Sequence, residues 1–181
     1  MKSTGIVRRL DVLGRVVVPK EIRKILQISE GDPLEIYTEK DSVILKKFSP
    51  LSLVDELVSD ISSSLCRQTG KSVFICDKNS FLSCSGICSK EILSCKISSQ
   101  ISSLIKENKT LIVCFEDGGS PIFITENESY GFNNQLFMPI QVDDEAFGGI
   151  LLCDRNRENR ITSKDVELLS LSTSILASRF K

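Results

Sequence analysis

The chain has no histidine and no tryptophan among its 181 residues. Without imidazole there can be no Ser-His-Asp or Cys-His nucleophile, and the commonest metal ligand is missing. No apolar run approaches the roughly 18 residues of a membrane span, and the first residues lack the apolar stretch of a secretory signal. A cytoplasmic protein with no membrane partner is expected. The seven cysteines are odd in number, carry no secretion signal and contain no Cys-x2-Cys pair, so reduced thiols are expected. Cys84, Cys88 and Cys95 match no standard zinc spacing, which leaves no metal site to assign. A Gly-rich phosphate loop is absent, and no carboxylate pair shares a helical face. The expectation is a protein that is not an enzyme and has no cofactor.

What is present is unevenly spread. The net charge of −1 conceals a basic start. Residues 1–50 hold ten Lys or Arg against seven Asp or Glu, while the remainder holds thirteen against seventeen. Most of the excess lies in residues 1–24, where seven cations face two acids. A basic block ahead of an acidic body suits a polyanion partner for the first part only.

The first fifty residues read as β-β-α-β-β. Gly5–Leu10 and Arg15–Val18 are β-prone, with a turn over Asp11–Gly14 where Gly14 can take positive φ. Pro19 suits a helix start. In KEIRKIL, Ile22, Ile25 and Leu26 share one face and leave Lys20, Arg23 and Lys24 on the other. Leu34–Thr38 and Ser42–Lys47 follow as strands beyond the Glu30–Pro33 break. So short a unit holds too few apolar side chains to be stable alone, and dimerisation is the natural remedy. Asp11 stands in the basic loop as an orienter of Arg8 or Arg9 or as a turn cap, and the sequence does not choose between these.

The run from TGIVRRLDVLGRVVVPKEIRK through GDPLEIY to VILKK resembles the swapped-hairpin AbrB family of DNA-binding transition-state regulators. The resemblance implies an interleaved homodimer in which each copy lends a hairpin to the other. It also implies that Arg8, Arg9, Arg15, Arg23 and Lys24, with Lys20 nearby, face double-stranded DNA. Lys24 stands where many relatives have Arg. It keeps the charge but lacks the planar fork, which suits a phosphate contact better than a base contact.

A change of character at Phe48-Ser49-Pro50 sets the boundary between a DNA-binding domain at 1–50 and a second domain at 51–181. Leu51–Arg67 has apolar residues at Val54, Leu57, Val58, Ile61 and Leu65, the pattern of an amphipathic helix. Strands are expected at Ser72–Cys76, Phe81–Cys84, Thr110–Phe115, Gln135–Gln141 and Ala146–Cys153, and helices at Ser98–Glu107 and Ser163–Phe180. This order, and the segment LFMPIQVDDEAFGGILLCDR, resemble a GAF domain, an antiparallel sheet flanked by helices. The fold class is therefore α+β, a dimeric swapped-hairpin barrel followed by a GAF-like domain. The GAF resemblance implies a pocket for a small ligand, here unidentified, near Phe81–Ser85, Val113–Phe115 and Phe123–Phe137. It also implies pairing of first and last helices into a four-helix bundle, with Leu57, Ile61, Leu65, Leu169 and Leu176 as seam candidates. Two modes of dimerisation in one chain would make a homotetramer.

The expected function is transcriptional regulation of the AbrB type by a nucleoid-associated protein controlling sporulation genes. Whether it activates or represses, and at which sequences, is not readable. Two alternatives remain at this point, a small-molecule or redox sensor acting through the GAF-like domain and an antitoxin-like DNA-binding protein.

Overall fold

The computed structural model describes residues 5–26, 28–47, 49, 51, 54–126 and 128–180. The chain divides into two compact units, residues 1–48 and 49–181. Phe48 and Pro50, where the sequence changes character, lie outside the described residues.

The first unit contains helix α1 (Lys20–Leu26) and the strands β1 (Leu34–Glu39) and β2 (Ser42–Lys47). The strands form an antiparallel hairpin whose register runs from Leu34↔Lys47 to Glu39↔Ser42. The Lys46 ammonium lies 4.7 Å from the centre of the Tyr37 ring, a cross-strand contact typical of a solvated hairpin face. Segments 5–10 and 15–18, expected as strands, form no ladder. A strand needs a neighbouring strand to complete its ladder, and the hairpin described in this unit pairs only within itself. Their apolar side chains stand in solvent, Val7 and Val17 most of all. No described residue of this unit is buried.

The second unit is a three-layer sandwich built on helices α2 (Asp55–Thr69), α3 (Ser89–Ile92), α4 (Ser99–Lys106) and α5 (Ser163–Ala177). Between them lies a sheet of β3 (Ser72–Asp77), β4 (Phe81–Ser85), β5 (Leu111–Val113), β6 (Asn134–Val142) and β7 (Glu145–Asp154). Its spatial order is β4-β3-β7-β6-β5, antiparallel throughout. Period-2 alternation divides the strands between two cores. Val73, Ile75, Leu136, Ile140, Ile150 and Leu152 face α2 and α5. Phe74, Cys76, Phe137, Leu151 and Cys153 face α4 and the long loops.

Local signals set the helix ends. Gly70 takes φ 68° and closes α2, its N–H donating to the Cys66 carbonyl, the αL cap that glycine supplies without strain. Ser98 caps α4 by accepting from the Ile101 N–H, and Thr162 with Asp165 forms a reciprocal capping box on α5. Beneath that box lies a buried ion pair. Lys71 Nζ is 3.3 Å from Asp165 Oδ2, the two side chains being 4 % and 6 % exposed. Asn159 Oδ1 accepts from the same ammonium at 3.1 Å.

The sheet ends at β5, which pairs only with residues 135–137 of β6. Past that point Pro139 sits in β6 opposite Gly149. Proline has no N–H to give a ladder, so it is tolerated where no neighbour asks for one.

Candidate nucleic-acid interface

The basic residues of the first unit are presented by a turn, an extended segment and a short helix. The turn is organised by a single carboxylate. Asp11 Oδ1 accepts from the backbone N–H groups of Leu13 at 2.9 Å and Arg15 at 2.8 Å. Its Oδ2 accepts from Arg15 Nε at 2.8 Å. The backbone closes the same loop, with the Asp11 N–H donating to the Arg15 carbonyl at 3.1 Å and the Gly14 N–H to the Asp11 carbonyl at 3.0 Å. Gly14 takes φ 75°, a conformation that costs a side-chain-bearing residue energy. The N–H donors hold the Asp11 carboxyl below the usual carboxylate range, the Arg15 backbone first and its guanidinium next.

Helix α1 supplies the second group. Pro19 stands immediately before it and accepts from the Arg23 N–H at 2.9 Å. Lys20, Arg23 and Lys24 line an open cleft of about 340 Å³ together with Ile28 and Ser29. Arg8 and Arg9 lie on the extended segment outside that cleft, with Arg8 Nη1 donating to the Val7 carbonyl at 3.3 Å. All six expected contact residues, Arg8, Arg9, Arg15, Lys20, Arg23 and Lys24, are exposed. The structure thus joins three of them in one cleft, fixes Arg15 on the neighbouring turn and leaves two on the segment before it. Of the two roles left open for Asp11, the turn cap is the one seen, and the arginine it also orients is Arg15 rather than Arg8 or Arg9. The four-residue spacing across a glycine turn was the available signal.

The second unit offers a less open surface. Where a GAF-like ligand pocket was expected, Phe81, Phe132 and Phe137 are buried. Phe74 packs edge-on to Phe81 and Phe132 at 6.1 and 5.7 Å between ring centres. The loop over residues 118–126 is fastened down from below. Gln135 accepts from the Ile122 N–H at 2.8 Å and donates to its carbonyl at 3.0 Å. Gln100 holds the Phe123 N–H and Ser98 the Phe123 carbonyl.

The cysteines are all free. Burial pushes the Cys84 thiol up to about 12 and raises Cys88 as well, opposite to the depression a reactive thiolate needs. Among the described residues no three Cys, Asp or Glu come together as a metal site. No helix among them is long and apolar enough to cross a membrane.

Residues 54–181 match the model of the stage V sporulation protein T C-terminal, transcription factor family. Residues 7–50 match that of the antidote-toxin recognition MazE, bacterial antitoxin family. The chain is 34 % identical to stage V sporulation protein T of Bacillus subtilis (strain 168), over 96 % of its own length and 94 % of that protein's. It is 46 % identical to the transition state regulatory protein AbrB of the same organism, over 39 % of this chain and 72 % of AbrB. The GAF-B domain of DevS from Mycobacterium smegmatis superposes with a TM-score of 0.53 at 13 % identity, covering 72 % of this chain and 91 % of that domain. That likeness shows a GAF fold in the second unit. One match that takes in the second unit and another that runs nearly end to end agree: the chain belongs to the stage V sporulation protein T family of transcription factors.

Proposed function

We propose that the exposed cations of the first unit, Arg8, Arg9, Arg15, Lys20, Arg23 and Lys24, are the surface by which this transcriptional regulator grips double-stranded DNA. The single observation that carries the reading is the cleft lined by Lys20, Arg23 and Lys24, with Arg15 braced on the adjoining turn. Cations arranged this way neutralise phosphates and fix register, while sequence discrimination falls to base edges and DNA shape. Two copies complete the unit. Its unladdered segments and exposed apolar side chains are those a second interleaved chain would cover.

The second unit organises a higher oligomer. Leu171 and Ile175 on α5 stand in solvent, away from the sheet core, while Leu57 and Ile61 on α2 and Leu168 on α5 pack against that core and are only partly covered. A copy of the same face covers them, giving a tetramer in which the paired DNA grips act together. The activity belongs at the nucleoid, on genes of sporulation. The antitoxin match stops at residue 50, within the half that this reading assigns to DNA.

The test is a salt series. Two copies of these six residues carry twelve cations, and if roughly eight meet phosphates, log K falls against log salt with a slope of about −7. The double variant R15A/R23A flattens that slope by about four and binds far more weakly. A parent slope near zero, or unchanged binding by the double variant, overturns the assignment.

A further inference from the structure

We infer that Asp11 is a positioning residue for DNA binding: a carboxylate on the DNA-facing turn that strengthens binding by holding Arg15 in place. The inference rests on the reading above that Arg15 faces DNA.

The geometry separates two jobs within one carboxylate. Oδ1 accepts the Leu13 and Arg15 backbone N–H groups and shapes the turn, while Oδ2 takes the Arg15 side chain through Nε. Engagement at Nε leaves the outer edge of the guanidinium, with Nη1 and Nη2, without a partner among the described residues. That edge carries the parallel donors that recognise a phosphate or a guanine edge. The Arg15 side chain is 71 % exposed, against 39 % for Asp11. The acid is the more covered of the two, and the fork is open to solvent. A flexible, exposed arginine must be ordered when it binds, and ordering it beforehand removes part of that cost.

The competing description is electrostatic. A carboxylate on a surface that meets phosphates repels them, so its removal would tighten binding and steepen the salt dependence. The two descriptions predict opposite signs for one substitution. That makes Asp11 more informative than any of the cations, whose removal weakens binding on either view.

The experiment measures equilibrium binding of the full chain to a fluorescent mixed-sequence DNA duplex at fixed salt. The proteins compared are the parent, D11A, D11N, R15A and D11A/R15A. D11A is expected to bind about tenfold more weakly than the parent despite losing a negative charge. On the R15A background the same change is expected to tighten binding or leave it unaltered, because nothing remains to be positioned. D11N keeps an oxygen for the two backbone donors but offers an amide where Nε requires an acceptor. It therefore preserves the turn and is expected to weaken binding as well, with an unchanged melting temperature.

D11A binding as tightly as the parent or more so overturns the inference. So does D11N behaving as the parent, and so does an equal loss from D11A with and without Arg15. If D11A fails to fold, D11N decides alone. Parent-like binding by R15A would instead refute the DNA-facing role of Arg15, an outcome distinct from failure of the Asp11 inference.

Discussion

Lys71 and Asp165 illustrate what single residues contribute away from DNA. Both are nearly sealed from water, and the ammonium also holds Asn159. Removing one member strands the other charge, so Lys71→Ala is expected to destabilise the second unit by about 3–5 kcal/mol in urea unfolding, and Lys71→Met by less because it restores packing. Asp11 titrates in a direction that can be worked out. Its folded carboxyl lies below its ordinary value, so the order it imposes on the turn is full above about pH 4. That order is lost as pH falls through the lowered folded value. Amide shifts of Leu13 and Arg15 followed by NMR are expected to move with a midpoint below about 3.9, the ordinary aspartate value, and to stay flat near neutrality. At this scale the sequence was least readable. Lys71, Asn134 and Gln135 are buried, yet nothing local marks them, because their side-chain partners lie farther along the chain. Asn134 alone serves the carbonyls of Asn156, Arg157 and Asn159.

Elements were read more easily than their partners. Helix α1, the β1–β2 hairpin and the strands β3, β4, β6 and β7 fall where apolar period and turn residues put them. Helix α3 escaped because four residues carry no period. The seam candidates show the limit of pattern reading. Leu65, Leu169 and Leu176 are buried in the unit's own core, while Leu57 and Ile61 are only half-covered. A helix with two apolar stripes looks the same in sequence whichever stripe meets the sheet. The stripes left outward on α5 are Leu171, 60 % exposed, and Ile175. Leu171→Glu with Ile175→Glu is therefore expected to leave the fold intact and halve the mass measured by sedimentation. Loss of soluble protein in place of a clean dimer would show that this face serves the unit's own packing.

For the whole molecule, the two association modes proposed above would multiply each other's effect. A dimeric grip alone binds weakly, and joining two grips raises the local concentration of the second once the first has landed. The same α5 variant is expected to bind a duplex with one site nearly as the parent does, and a duplex with two correctly spaced sites about a hundredfold more weakly. Fluorescence anisotropy on the two duplexes separates these cases. Equal losses on both would indicate that the carboxyl unit supports the DNA grip directly. The charge asymmetry between the halves was legible from residue counts. The division of apolar surface between core and partner was not, since burial depends on which copy supplies the cover.

The three-residue β5 and the proline beyond it have a further effect. A sheet margin with a missing donor is a poor template for another chain's backbone, because an incoming strand would find a gap where it needs a bond. Self-association through that margin is thereby disfavoured, which suits the helical interface proposed above. A tetramer of the kind proposed would so be kept from growing into fibres through its sheet edges.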